Sequence, residues 1–161
     1  PPAPRALAAA ASPPPSPSRL LARAEPRLTL AGRRQVQAVG RRKDCVAQVT
    51  VRPGTGRVRV NGQEAGEYFP GLAARAGLLR PLVETGTLGK FDVDSRVRGG
   101  GRAQQAGAVR HGIARALNEM NTVMFRPGLK ASGLLTRDPR VVERKKPGKP
   151  KARKSFQWVK R

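Results

Sequence analysis

The chain is 161 residues long, room for one domain of ordinary size with tails, and carries 33 Lys and Arg against 10 Asp and Glu, a formal net charge of +23. Charge at that density repels itself unless a polyanion neutralises it, and nucleic acid is the expected partner because each cation set on a phosphate releases a counterion. No apolar run approaches the roughly 18 residues that span a bilayer, so no membrane insertion is expected. The only cysteine, Cys45, and the only histidine, His111, give no basis for a disulfide, a metal site or a cofactor.

Residues 1–34 form a Pro/Ala/Arg-rich extension with six Arg and one acid, Glu25. Repeated Pro (Pro13, Pro14, Pro15, Pro17, Pro26) removes backbone donors and opposes helix and sheet alike, so the segment is read as extended. Its Arg, Ser and Ala also match an organelle targeting segment or the remnant of one. Residues 35–139 read as one globular α+β domain. Cys45, Ala47, Val49 and Val51 alternate with Val46, Gln48, Thr50 and Arg52, the period of a strand. Pro53-Gly54-Thr55-Gly56 is turn chemistry, and Val58 and Val60 resume the alternation, so a hairpin is expected. Residues 64–69 and 72–83 have helical character, with Pro70 and Pro81 as breaks. Phe91, Val93 and Val97 alternate with Asp92, Asp94, Arg96 and Arg98, a third half-buried strand.

Gly99-Gly100-Gly101 ends that strand and opens the strongest helix. Its Ala106, Val109, Ile113, Ala116, Leu117 and Met120 share one face, while Gln104, His111, Arg115 and Asn118 gather opposite. Residues 127–131 suggest a short further helix opened by Pro127. Residues 140–161 lose the apolar pattern and form a basic, extended tail. With ten basic groups to one acid, its net charge is about five times denser than that of the domain, which has 17 basic groups to eight acids.

The glycine turn between strand and helix suits a phosphate, since free backbone N–H groups meet the positive end of a helix dipole. Nucleotide-binding fingerprints fail: Gln104 stands where the dinucleotide motif needs its last Gly, and Glu84 and Phe91 bracket Thr85–Lys90 where a P-loop needs Gly and Ser or Thr. Asp92 and Asp94 share a strand face with Arg96 and Arg98 and are expected to pair with them in a solvated charge ladder. His111 has no nucleophile or second His beside it and reads as RNA-facing. No catalytic constellation is evident. In the tail, cations interrupted by Pro147 and Pro150 and ended by Phe156 and Trp158 suit a strand threading RNA, neutralising phosphates while the aromatics stack or pack.

Several segments together resemble the universal family of small-subunit ribosomal protein nine. They are residues 38–43 (Ala-Val-Gly-Arg-Arg-Lys), Val60-Asn61-Gly62 followed by Tyr68-Phe69-Pro70, and residues 87–93 (Thr-Leu-Gly-Lys-Phe-Asp-Val). Gly99-Gly100-Gly101 leading into residues 105–117, Leu135-Thr136-Arg137-Asp138, residues 140–146 and the terminal Lys160-Arg161 complete the likeness, which covers residues 36–161 in order. The resemblance implies a small mixed β-sheet with helices packed on one face, like the second domain of ribosomal protein five. It implies a structural place in the head of the small subunit, against its ribosomal RNA and neighbouring ribosomal proteins, and no enzymatic activity. It also implies that the C-terminal tail reaches the peptidyl-site tRNA, where Lys160 and Arg161 would hold phosphates. Where the common bacterial ending has Ser before Lys-Arg, Val159 stands here, so any hydrogen bond of that Ser is absent. The Trp158-to-Arg161 ending and the Pro/Ala/Arg leader favour a mitochondrial member with a place on the matrix ribosome, a plastid being the alternative.

The RNA-facing candidates on the domain are Arg41, Arg42, Lys43, Gly99, Gly100, Gly101, Arg102, Gln105, Arg110, His111, Arg115 and Arg137. On the tail they are Arg140, Arg144, Lys145, Lys146, Lys149, Lys151, Arg153 and Lys154. Two other classes share parts of the pattern. A free-standing nucleic-acid binder would share the charge but has no use for the ordered central motifs. A small phosphotransfer enzyme would share the strand–glycine–helix unit but needs a Mg²⁺-holding carboxylate beside the turn, and none is evident.

Overall fold

The computed structural model describes residues 35–158. Strand β2 (Cys45–Pro53) and strand β5 (Phe91–Arg98) pair antiparallel, Val49 opposite Ser95 and Val46 opposite Arg98, and both bury alternate residues on one side. A strand that the sequence reading did not identify, β1 (Val36–Arg42), lies antiparallel on the other side of β2, joined to it by the Lys43-Asp44 turn. Its inward positions are Val36, Ala38 and Gly40, too small for the alternation to stand out.

Strand β3 (Val58–Val60) departs from expectation. It does not fold back on β2; β5 lies between them, and β3 runs parallel to β5, with β4 (Gln63–Glu64) beyond it. The sheet order is therefore β1-β2-β5-β3-β4, and the hairpin reading is corrected. The cause is the grip of β5 on the connection. Asp92 takes three backbone N–H groups of residues 55–57 on one oxygen, at 2.8–3.0 Å. Farther on, the Asn61 side chain acts as a further rung, its Oδ1 accepting from the Val97 amide at 2.8 Å and its Nδ2 donating to the Val97 carbonyl at 3.1 Å. A three-residue strand is held by the eight-residue partner that supplies these anchors.

Helices α1 (Ala65–Tyr68) and α2 (Leu72–Glu84) carry the chain from β4 to β5, with Pro70 between them. Pro81 does not break α2 as expected. Pro81 is buried, as are Leu78 and Leu82, and that apolar burial works against the roughly 3 kcal/mol cost of a helical Pro. Helix α3 (Arg102–Met120) packs across β1, β2 and α2. Val109, Ile113 and Leu117 are fully buried, each contributing about 1.5–3 kcal/mol. Gly107, Ala108 and Gly112 are buried as well, so the helix sinks more of its circumference than one apolar stripe requires. Helix α4 (Thr122–Ala131) starts five residues before Pro127, because the Asn121 side chain caps it by accepting from the Met124 amide at 3.2 Å. The result is an α+β fold, a mixed five-stranded sheet with its long helices layered on one face. After Ala131 no helix or strand follows among the described residues.

Candidate nucleic-acid interface

The cationic side chains fall into groups according to what already holds them. Around the start of α3, the glycine run is a packed turn. Gly99 and Gly100 have φ of +83° and +58°, and an added Cβ on either would strike the Asp44 carbonyl or the Cys45 sulfur. The Gly99 carbonyl accepts from Cys45 Sγ at 3.0 Å and from Gln105 Nε2 at 3.1 Å, and the Gly101 amide donates to Gln104 Oε1 at 3.2 Å. Gln105 is buried and spends its Oε1 on the Tyr68 hydroxyl at 2.9 Å. Turn and glutamine are thus engaged within the protein. Burial raises the Cys45 thiol pKa, with Asp44 adding to the rise.

Arg102 stands at the helix start with its guanidinium 4.1 Å over the Tyr68 ring, donating to the Tyr68 carbonyl. Arg42 crosses the same end, its Nη1 donating to the Ala103 carbonyl at 3.3 Å and its chain lying over Gly107. Arg110 is half-buried; that burial lowers its pKa, the Arg42 and Arg80 cations push the same way, and Asp138 opposes them. Arg42 and Arg102 therefore hold fixed positive charge beside the turn, Arg110 adds a half-buried cation about two turns farther along α3, and Lys43 stands at the β1–β2 tip.

At the exposed edge of β1 a second group surrounds His111. The Arg41 amide donates to His111 Nδ1 at 3.2 Å, which leaves Nε2 to carry the proton and donate to the Leu135 carbonyl, also at 3.2 Å. Burial lowers the imidazole pKa; the bond to Leu135 opposes this, and the Arg115 and Arg137 cations add to the lowering. His111 is thus a neutral bracket joining β1, α3 and the segment after α4, with both ring nitrogens spent inside the protein. The side chains of Arg41, Arg115 and Arg137 line the shallow groove around it. Arg115 also donates to the Val39 carbonyl at 2.5 Å, fixing its head at the strand edge.

The expected ladder within β5 is corrected. Arg52, from β2, reaches Asp94 at 3.2 Å and Asp92 at 3.9 Å, while Arg96 and Arg98 have no ion pair among the described residues. Asp92 instead serves the 55–57 loop, whose amides (Arg57 first) hold its carboxyl below the usual range. The cross-strand register places Arg52 opposite Asp92, and sequence alternation alone could not supply that neighbour.

In the tail, Arg140 forks onto Asp138 through Nε at 2.9 Å and Nη2 at 2.7 Å, which lowers the Asp138 pKa. Arg153 forks onto Glu143, ten residues back, closing a loop over Gly148 at φ +72°. Arg144, Lys145, Lys146, Lys151 and Lys154 are exposed, and Lys149 is half-buried, its amide bonded to the Lys146 carbonyl at 3.3 Å. Trp158 is 92 % exposed and Phe156 73 %, aromatics with no cover among the described residues. The two residues expected at tRNA, Lys160 and Arg161, lie outside the described residues, as does the 1–34 extension. No helix among the described residues is long and apolar enough to cross a membrane.

The family model described as ribosomal protein S9/S16 matches residues 40–161. The small ribosomal subunit protein uS9m of Arabidopsis thaliana is 58% identical over 122 residues, a stretch that is 76% of this chain and 28% of that protein. The small ribosomal subunit proteins uS9 of Anaeromyxobacter sp. (strain K) and Anaeromyxobacter dehalogenans are each 51% identical over 123 residues, 76% of this chain and 94% of theirs. The chain thus spans little more than a quarter of the plant relative and nearly the whole of the bacterial ones.

Proposed function

The chain belongs to the ribosomal protein S9/S16 family, and from that premise we propose that it is a structural constituent of the small-subunit head, binding small-subunit ribosomal RNA during translation. The observation that carries the RNA contact is the groove at the β1 edge, lined by Arg41, Arg115 and Arg137 with no carboxylate in its wall. Arginine forks suit phosphate oxygens, and two of these three cations flank a histidine that the protein keeps neutral and uses as a brace. Arg42, Arg102 and Arg110 extend the positive surface past the glycine turn. The tail supplies the second grip: Arg140 to Lys154 track the phosphate backbone while Phe156 and Trp158 stack or pack. Ordering that segment costs chain entropy, offset by counterions released from the RNA.

The last two residues, Lys160 and Arg161, make the contact to peptidyl-site tRNA, and neighbouring proteins of the head are further partners. In this role no residue is catalytic. The leader's composition and the likeness to a uS9m protein support an organellar ribosome, and the Trp158-to-Arg161 ending favours the mitochondrial matrix. Sedimentation of the tagged protein from fractionated mitochondria, at rising salt, tests this. Co-migration with the small ribosomal subunit that persists as salt rises is the expected result. Release to the top of the gradient, or migration with bulk DNA, would identify a loose polyanion binder instead.

A further inference from the structure

We propose that the open face of the sheet is a docking surface for double-stranded RNA, a deeper form of the ribosomal reading that rests on it. The long helices occupy one face only. On the other, the strand register lays out rows of side chains. Arg41, Val46 and Arg98 form one row across β1, β2 and β5, and Val39, Gln48 and Arg96 form the next. Strands lie about 4.8 Å apart and alternate residues about 6.8 Å apart, so Arg41, Arg96 and Arg98 spread cationic heads over a patch about 10 Å across.

Three observations specify the occupant. First, Arg41, Arg96 and Arg98 have no ion pair among the described residues, whereas the acids of this face lie away from them, Asp92 and Asp94 at its far end beside Arg52 and Glu64 on β4 opposite Arg59. The uncompensated charge calls for a polyanion, and residues 1–34, themselves net positive, do not supply one. Second, the open-face positions of β1, β2 and β5 carry no aromatic ring. Strands that read single-stranded RNA do so by stacking bases on aromatics, so this face lacks that means. It offers flat guanidinium, amide and hydroxyl groups, the complement of phosphates and 2′-hydroxyls across the wide, shallow minor groove of an A-form helix. Third, Val39 and Arg41 line both a shallow trough on this face, shared with Gln48, Arg96 and Arg98, and the groove around His111, so the face continues the surface already assigned to RNA.

The test is salt-dependent binding of the full chain to a blunt A-form RNA duplex and to a single strand of equal length. In Arg96→Gln/Arg98→Gln, the duplex log–log salt slope should fall by about 1.8, roughly 0.9 for each lost phosphate contact, while the single-strand slope holds. Gln48→Glu, an acid placed in the middle of the patch, should weaken duplex binding with thermal unfolding unchanged. An equal loss on both RNAs overturns the duplex assignment. Duplex binding unchanged while incorporation into the small subunit is lost would mark a protein-docking face and overturn it too. If the parent chain binds duplex and enters the subunit and the variants match it, only the sheet-face proposal falls. If the parent does neither, the ribosomal reading falls with it.

Discussion

Gly40 tests the junction on which the β1-edge site depends. A Cβ added there would lie 2.0 Å from the Ala108 carbonyl oxygen, 2.4 Å from the Gly112 nitrogen and 2.8 Å from its Cα. All three are backbone atoms of α3, so no rotamer change relieves the clash. A carbon normally stays about 3.3 Å or more from a carbonyl oxygen, so the helix must retreat about 1 Å. A gap of 0.5–1 Å forfeits about a quarter to a half of each dispersion contact, and the loss would run along Val109, Ile113 and Leu117. Overpacking alone costs about 1–3 kcal/mol; with the opened interface, Gly40→Ala is expected to cost about 3 kcal/mol or more, a fall in Tm on the order of 10 °C. Equilibrium urea unfolding measures it, with Gly77→Ala as the control. An added Cβ meets nothing within 4 Å at Gly77, and removing a helical Gly should stabilise by up to about 1 kcal/mol. The same retreat would pull His111 from the Arg41 amide and Arg115 from the Val39 carbonyl, so RNA affinity should fall even where the variant remains folded. A Gly40→Ala protein within about 0.5 kcal/mol of its parent would refute the close-approach argument.

His111 should make stability depend on pH in a defined direction. Its folded pKa lies below the ordinary 6.5, so the unfolded chain binds the proton more readily. Stability should therefore fall as pH drops below about 6.5 and level off beneath the folded value; the urea midpoint of His111→Gln should lose that dependence, and a midpoint rising on acidification of the parent would contradict the neutral bracket. Asp92 acts in a lower window, since its carboxyl is held below 3.8 and its contribution is present at neutral pH and lost as pH falls through the folded value. Asp92→Ala should release the amides of residues 55–57, seen as faster hydrogen exchange there than elsewhere in the sheet; unchanged protection would show that the loop is held otherwise. Deleting Lys160 and Arg161 should leave subunit assembly nearly intact and weaken tRNA retention at the peptidyl site, whereas failed assembly would end that division of labour. Removing residues 144–161 should flatten the salt dependence of RNA binding by roughly 0.7–0.9 per lost contact.

The strands and helices whose apolar residues keep an unbroken period could be read directly from the sequence. The inward Cys45, Ala47, Val49 and Val51 of β2 and the apolar stripe of α3 announced themselves by period. β1 did not, because the feature that makes it important also hides it: at Gly40 the helix backbone comes so close that no side chain fits. Pro81 misled for a related reason. A proline signals a break only when its ring gains nothing, and here the ring lies in the core. The β2–β3 hairpin was the natural local inference, and it failed on a long-range competitor. Neither the Asp92 clasp on the 55–57 amides nor the Asn61 rung on Val97 has any counterpart within five residues of the turn.

The site divides along the same line between local and non-local information. Composition locates cations, but in the domain several of them are held by partners 34 to 76 residues away. Arg102 is held by Tyr68 and Arg115 by the carbonyl of Val39. Arg96 and Arg98, expected to be neutralised by the aspartates beside them, are left unpaired because Arg52 comes across from β2 to meet those aspartates. Sequence spacing placed all of these charges on one face and assigned the pairing to the wrong strand. Arg52 stands directly across the ladder from Asp92, about 5 Å away at the backbone, and its long side chain reaches diagonally to Asp94 as well, so it lies between both acids. One cation from the neighbouring strand thus serves both acids, and the two arginines of β5 left without a partner become the charge that a polyanion can use.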